Sequence, residues 1–289
     1  MISLVSILTF MVAANVVGAT NSVGCGKEPT LASGVHSLTI NGKDREYTLK
    51  IPDNYDATNP YKLIFGFHWA NGTMENITVG ATTGGVVPGW SYYGLEQRAN
   101  NTAILVAPNG LNKGWANTDG EDVAFVDAMI DAIETDLCVD QAQRYATGFS
   151  YGGSMTRTLA CARANVFRAV AVLSGALLSG CDASTDPIPY LGIHGINDPL
   201  LPIALGSALR DEFVTNNGCT PQDPPEPANG TLTHVKTVYE GCRAEYPVWW
   251  IAYDGGHISA PHDGPPRDTD SGDSFAPTET WAFFSQFFE

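Results

Sequence analysis

The residues best placed to do chemistry lie in Gly148-Phe149-Ser150-Tyr151-Gly152, where a serine stands between two glycines. Arg144-Tyr145-Ala146-Thr147 before it reads as a strand, and Gly152 to Arg163 after it reads as a helix. A serine at such a junction projects its oxygen from the sheet beside the amino end of the next helix. Side chains at 148 and 152 would collide with neighbouring strands, so both positions call for glycine. The chemistry this implies is nucleophilic attack by the Ser150 hydroxyl.

A serine needs a base, and the base needs an acid to orient it. Downstream, His194-Gly195-Ile196-Asn197-Asp198 follows an apolar strand and sets Asp198 just past its carboxyl end. Asp254-Gly255-Gly256-His257 does the same for His257 after Trp249-Trp250-Ile251-Ala252. Asp182 and Asp186 precede the strand, Asp211 falls on a solvated helix face, His262 lies in a polar loop and His234 in another strand, so Asp198 and His257 are the expected acid and base. His36, His68 and His194 read as structural. The oxyanion of a tetrahedral intermediate would be held by two backbone amides. One is that of Tyr151. The other belongs to the loop after Leu63-Ile64-Phe65-Gly66-Phe67-His68, from Trp69 or Ala70, and the Trp69 indole could also wall the acyl pocket.

The elements that must position these groups alternate between strand and helix. Glu46 to Ile51, Leu63 to His68, Ala103 to Ala107, Arg144 to Gly148, Phe167 to Leu173, Tyr190 to His194 and Val248 to Ala252 read as strands. Thr118-Asp119-Gly120-Glu121 reads as a capping box opening a helix whose apolar stripe is Val123, Val126, Ile130, Ile133 and Leu137. Further helices are expected near Ile203 to Thr215 and over Pro277 to Phe288, the last docking on the sheet through Trp281, Phe284 and Phe288. Such alternation implies an α/β fold, a mainly parallel central sheet with helices on both faces. With Ser, acid and His in this chain order, the pattern is that of the α/β-hydrolase fold.

The chain of 289 residues carries a net charge of −16, and 44% of it is hydrophobic. A nucleic-acid partner is disfavoured, because phosphate neutralisation requires clustered Lys and Arg. Residues Ile2 to Val17 contain no charge and are followed by Gly18-Ala19, so residues 1–19 are expected to be a signal peptide and 20–289 a single catalytic domain. The run falls short of the ~20 residues of a membrane span, and a secreted, extracellular location without a membrane partner is expected. Cys25, Cys138, Cys161, Cys181, Cys219 and Cys242 form no Cys-x-x-Cys pair, which leaves no metal site and suggests disulfides. Cys219 with Cys242 would staple the Pro-rich surface loop Pro221 to Gly230; the other four cysteines have no assigned partners. Asn71, Asn76, Asn100 and Asn229 stand in Asn-x-Ser/Thr sequons and are expected glycosylation sites.

The chain resembles the fungal feruloyl esterases, in the family that also holds acetylxylan esterases and polyhydroxybutyrate depolymerases. The resemblance rests on Gly66-Phe67-His68-Trp69, Ala107-Pro108-Asn109-Gly110, Gly114-Trp115-Ala116-Asn117, Asp122-Val123-Ala124-Phe125-Val126-Asp127, Gly148 to Met155, His194 to Asp198 and Gly255-Gly256-His257, in that order. Where many hydrolases place a glycine after the first of these histidines, this chain has Trp69. The resemblance implies hydrolysis of hydroxycinnamoyl esters through an acyl-enzyme on Ser150, with Asp198 and His257 at the matching positions and no cofactor. It implies a substrate among feruloylated wall polysaccharides, such as arabinoxylan or pectin, or small hydroxycinnamate esters. The alternatives are an acetylxylan esterase or polyester depolymerase with the same machinery, and a wall-binding homologue without catalysis. Trp90, Tyr92 or Tyr93, in the aromatic loop from Gly84 to Gly94, would line the acyl pocket by stacking on a phenolic ring.

Overall fold

The computed structural model describes residues 21–82, 84–181, 185–265 and 273–288. The expected leader, residues 1–19, lies outside the described residues. In chain order the elements are β1 (Gly34–Ile40), β2 (Lys43–Lys50), β3 (Tyr61–Phe67), α1 (Met74–Thr78), β4 (Ala81–Thr82), β5 (Gly85–Val86), α2 (Leu95–Ala99), β6 (Ala103–Pro108) and α3 (Glu121–Asp136). They continue with β7 (Val139–Phe149), α4 (Tyr151–Ala162), β8 (Ala169–Leu173), β9 (Tyr190–Gly195), α5 (Ile203–Asn216), β10 (His234–Val238), β11 (Val248–Tyr253) and α6 (Ala276–Ser285).

Nine strands form one sheet in the order β1-β2-β6-β3-β7-β8-β9-β11-β10. The six from β6 to β11 in that order pair in parallel, while β1, β2 and β10 join antiparallel at the two edges. The parallel strands are apolar along their whole length because both faces are covered. Leu63, Phe65 and Phe67 of β3 enter the core beneath α3, α4 and α5, whereas Ile64 enters the one beneath α2 and α6. Val170 and Val172 of β8 divide from Ala169, Ala171 and Leu173 in the same way. This two-residue alternation is what a sheet covered on both faces requires, and the mostly parallel sheet flanked by helices is an α/β-hydrolase fold.

The observed elements differ from the expected ones in instructive ways. No capping box forms at Thr118: α3 begins at Glu121 behind Gly120, which makes no side-chain cap. Asn117 serves instead, its Oδ1 accepting from the amides of Asp122 and Val123 at 3.1 Å each, while Asp122 Oδ2 accepts from the Asn117 amide. Strand β7 starts earlier than Arg144, at Val139, and β1 adds an edge strand beyond those expected. Of the expected docking residues, Phe284 is buried and Trp281 and Phe288 pack partly buried on the same core, while Thr280 and Phe283 of α6 complete the docked face. Three disulfides, Cys25–Cys138, Cys161–Cys181 and Cys219–Cys242, use all six cysteines. The last closes the exposed, irregular stretch from Pro221 to Gly230.

Candidate active site

Parallel strands end on the same side of the sheet, and the three chemical groups of interest leave from the carboxyl ends of β7, β9 and β11. Ser150 follows β7 directly and precedes the first residue of α4, with φ 57° and ψ −119°. That conformation is costly for a residue with a side chain and is sustained by its surroundings. The Ser150 amide donates to the Leu173 carbonyl of the neighbouring strand at 2.9 Å. A Cβ at Gly148 would overlap the Gly152 backbone, and one at Gly152 would overlap the Phe67 carbonyl, so the turn can close only with glycine at both positions.

His257 and Asp198 converge on this serine. His257 Nε2 lies 2.8 Å from Ser150 Oγ, and His257 Nδ1 lies 2.6 Å from Asp198 Oδ2. The Asp198 side chain is fully buried. A bare carboxylate there would be expensive, and its second oxygen is satisfied by the backbone: Oδ1 accepts from the amides of Leu200 at 2.9 Å and Leu201 at 2.8 Å. The two loops are tied to each other. The Ile196 amide donates to the Tyr253 carbonyl at 2.9 Å and the Asn197 amide to the Gly255 carbonyl at 3.0 Å. Asn197 Nδ2 donates to Asp254 Oδ1 at 3.0 Å. The Tyr253 hydroxyl reaches forward to the Gly256 carbonyl at 2.8 Å and fixes the approach to His257. Phe149 packs its ring on the His257 imidazole, with centroids 4.6 Å apart.

The loop after β3 faces the nucleophile. The His68 ring is completely buried; Nδ1 donates to the Trp69 carbonyl at 2.8 Å and Nε2 accepts from the Gly110 amide at 3.0 Å. Burial pushes its pKa down to about 4, against the weaker upward pull of the Trp69 carbonyl, so the ring is neutral with the proton on Nδ1. Trp115, also buried, donates its indole N–H to the His68 carbonyl at 2.8 Å. Trp69 is half-buried and its ring meets Phe149 edge-on at 6.4 Å, which borders it on the Ser150–His257 pair. The amide of Tyr151 opens α4 and is one of those with no intrahelical acceptor.

Trp90, Tyr92 and Tyr93 do not offer an open stacking surface. Each is at most 4% exposed, within the core that also holds Ile64 and Phe149. Tyr92 and Tyr93 both have positive φ, 52° and 57°, which turns the chain so that the rings point inward. The Tyr93 hydroxyl donates to the Phe67 carbonyl at 2.6 Å and lies 3.3 Å from the Phe149 amide, bridging the ends of β3 and β7. These rings brace the site from below. Of the competing groups, Asp211 pairs with Arg210 at 2.8 Å, and His234 sits 2.9 Å from Asp263 Oδ1 and stacks on Phe275. His262 Nδ1 lies 3.2 Å from the Asp263 carbonyl, and Asp182 lies outside the described residues.

Among the sequon residues, Asn71, Asn100 and Asn229 are exposed. Asn229 Oδ1 accepts from Asn197 Nδ2 at 2.9 Å. Asn76 is half-buried in α1, where its Oδ1 accepts from the Thr73 amide at 2.9 Å. The sequence reading of His68 and His194 as structural residues and of Tyr93 as an acyl-pocket wall leaves out their part in supporting the site, and it leaves out Tyr253 altogether. The available signal was a polar residue inside an otherwise apolar strand, as with His194 in Tyr190-Leu191-Gly192-Ile193-His194-Gly195.

Chemically, this arrangement can withdraw a proton from a serine hydroxyl, stabilise the resulting imidazolium and place amides beside a developing oxyanion. No protein-family profile matches the chain. Over 268 residues it is 57% identical to feruloyl esterase C of Emericella nidulans, a match covering 93% of this chain and 92% of that protein. It is 46% identical over 277 residues to feruloyl esterase D of Neurospora crassa, covering 94% and 92% of the two chains. In structure it resembles the acetyl xylan esterase of Aspergillus awamori with a TM-score of 0.61 at 14% identity, covering 88% of this chain and all of that one. At that identity the structural likeness speaks to the fold alone.

Proposed function

Because the chain belongs to the feruloyl esterase family, and is thus a carboxylic ester hydrolase, we propose that it hydrolyses hydroxycinnamoyl esters of plant cell-wall polysaccharide by a Ser150–His257–Asp198 acyl-enzyme mechanism. The observation that carries this reading is the continuous contact from Ser150 Oγ to His257 Nε2 and from His257 Nδ1 to Asp198 Oδ2, at 2.8 and 2.6 Å.

In the proposed reaction His257 takes the Ser150 proton as the oxygen attacks the ester carbonyl. Asp198 stabilises the imidazolium and holds the Nδ1–H tautomer. The Tyr151 amide and a Trp69 or Ala70 amide stabilise the tetrahedral oxyanion. His257 then delivers its proton to the leaving sugar oxygen, leaving the acyl group on Ser150. Water repeats the sequence in reverse: His257 removes its proton, hydroxide adds to the acyl carbon, and Ser150 leaves with the proton restored. Each proton has a residue to carry it, so no metal or organic cofactor is required.

Residues 1–19 are proposed as a secretory leader and 20–289 as the catalytic domain. Three disulfides favour that route, since such bonds persist in oxidising compartments. Among the described residues no helix is long and apolar enough to cross a membrane. The sequons at Asn71, Asn76, Asn100 and Asn229 are proposed as glycan acceptors, with the exposure of Asn71, Asn100 and Asn229 in favour.

The test is hydrolysis of methyl ferulate beside p-nitrophenyl acetate by the purified protein, with Ser150→Ala as control. Ferulate release that disappears in the variant supports the reading. Turnover of acetate alone would retain the serine mechanism and transfer the substrate to acetylated polysaccharide. Unchanged turnover in Ser150→Ala would overturn the mechanism.

A further inference from the structure

Asp198 is flanked by two imidazoles, and the mechanism uses only one of them. The second is His194, in β9 and 1% exposed. Its Nε2 donates to the Leu201 carbonyl at 2.7 Å and stands 3.5 Å from Asp198 Oδ2, the oxygen that also meets His257. Leu201 is therefore gripped at both ends of its own residue: its carbonyl by His194, and its N–H by Asp198 Oδ1 at 2.8 Å. A short circuit results, running from His194 through Leu201 to the carboxylate and on to His257.

The His194 ring has little freedom to leave this position. On one side lies Gly206 of α5, where an added Cβ would overlap His194 Nδ1, so the helix backbone itself closes on the ring. On the other, the Trp250 ring lies nearly parallel, with centroids 6.2 Å apart and planes inclined by 26°. Glycine at 206 permits this approach at some expense to a helix interior, where it is a poor former.

We propose that His194 is a positioning residue for the triad acid: through Leu201 it holds Asp198 in the one orientation from which Oδ2 receives the His257 N–H. The inference rests on the catalytic reading of Ser150, His257 and Asp198. A donor at this spot must be uncharged, because a second imidazolium beside Asp198 would neutralise the carboxylate that His257 needs. Burial lowers the pKa of His194 and so keeps it neutral. An apolar residue of similar size would fill the space between Gly206 and Trp250 and leave the Leu201 carbonyl without its donor.

The experiment compares His194→Leu, which keeps bulk and removes the donor, with His194→Gln, whose amide N–H can occupy the Nε2 position. Both are assayed on methyl ferulate and on p-nitrophenyl acetate, with thermal unfolding to verify the fold. The expected result for His194→Leu is a fall in kcat of about 10²-fold on both esters, of the size that follows when a catalytic group is misplaced by about 1 Å, with KM within about twofold of the wild type because no substrate contact is removed. His194→Gln is expected to recover most of the loss. A folded His194→Leu variant with wild-type kcat overturns the inference, as does a loss that appears only in KM. Asp198→Asn on the same substrates separates this from the underlying reading: if it is inactive while His194→Leu is unaffected, only the His194 inference falls, and if it is fully active, the triad falls with it. Should His194→Leu not fold, the ¹⁵N spectrum of wild-type histidines decides. His194 should be a neutral Nε2–H tautomer at neutral pH, and an imidazolium or an Nδ1–H tautomer there overturns the inference.

Discussion

His257 Nε2 lies 2.8 Å from Ser150 Oγ although 107 positions of chain separate the two residues. The contact is maintained by the sheet rather than by the loops alone. Ser150 is bonded through its amide to the end of β8, and the His257 loop is bonded through Gly255 to the Asp198 loop, which leaves from β9. Since β8 and β9 pair directly, from Val170 opposite Tyr190 to Leu173 opposite Ile193, the backbones that carry the two groups are tied to one sheet register.

Asp198→Asn should lower kcat for methyl ferulate by about 10⁴-fold while leaving the fold intact, because the amide favours the wrong tautomer of His257. Steady-state kinetics with far-UV circular dichroism checks this. A variant within tenfold of wild type would show that His257 is oriented by other means.

Gly152→Ala tests the closeness of α4 to β3. Its methyl group would overlap the Phe67 carbonyl, a backbone atom with no room to retreat. A destabilisation of about 4 kcal/mol or more is expected, at the far end of the range for single substitutions, measured as the urea midpoint at constant m-value. A native midpoint would mean that the elbow relaxes more readily than its geometry implies.

The buried pair Arg45–Asp122 joins β2 to α3 at 2.7 Å, with both side chains 2% exposed. Burial raises the Asp122 pKa despite the attraction of Arg45, which indicates how costly the site is for an unpaired charge. Asp122→Ala should therefore lose about 3–5 kcal/mol, and a double replacement by apolar residues of similar volume should regain most of it. Equal losses in the single and double variants would contradict the account.

His68 makes stability depend on pH. The unfolded chain takes a proton near the ordinary histidine value of 6.5, and the folded chain does so only near 4. Between those values the unfolded state binds more protons, so stability falls as pH drops from about 6.5 to about 4, by about 3 kcal/mol from this residue. His194, lowered in the same direction, adds to the trend. Urea midpoints across this range should decline in the wild type and decline less in His68→Asn. Identical slopes in the two proteins would remove His68 as the cause.

What could be read from the sequence divides along physical lines. The elbow at Ser150 was legible because a backbone constraint leaves its mark in adjacent residues: Gly148 and Gly152 are there for want of space. The convergence of Asp198 and His257 on Ser150 is legible because a parallel sheet delivers loops to one edge in chain order. By contrast, the partners of Cys25 and Cys161 depend on which loops meet after folding, and Cys25 finds Cys138 across 113 residues. The start of α3 is not legible at Thr118 because Asn117 caps it across an intervening turn. For Tyr92 and Tyr93, composition announced aromatic rings near the site, but two successive positive-φ residues, invisible in the sequence, turned them into the core.

The Cys219–Cys242 bond encloses an irregular and largely exposed stretch, from Pro221 to Gly230. Such stretches are where peptidases cut first. A nick between the two cysteines would leave Asp198 and His257 on different polypeptides still joined through sulfur. The cleaved molecule would migrate as one species until a reductant separated it, and its working groups would never have parted.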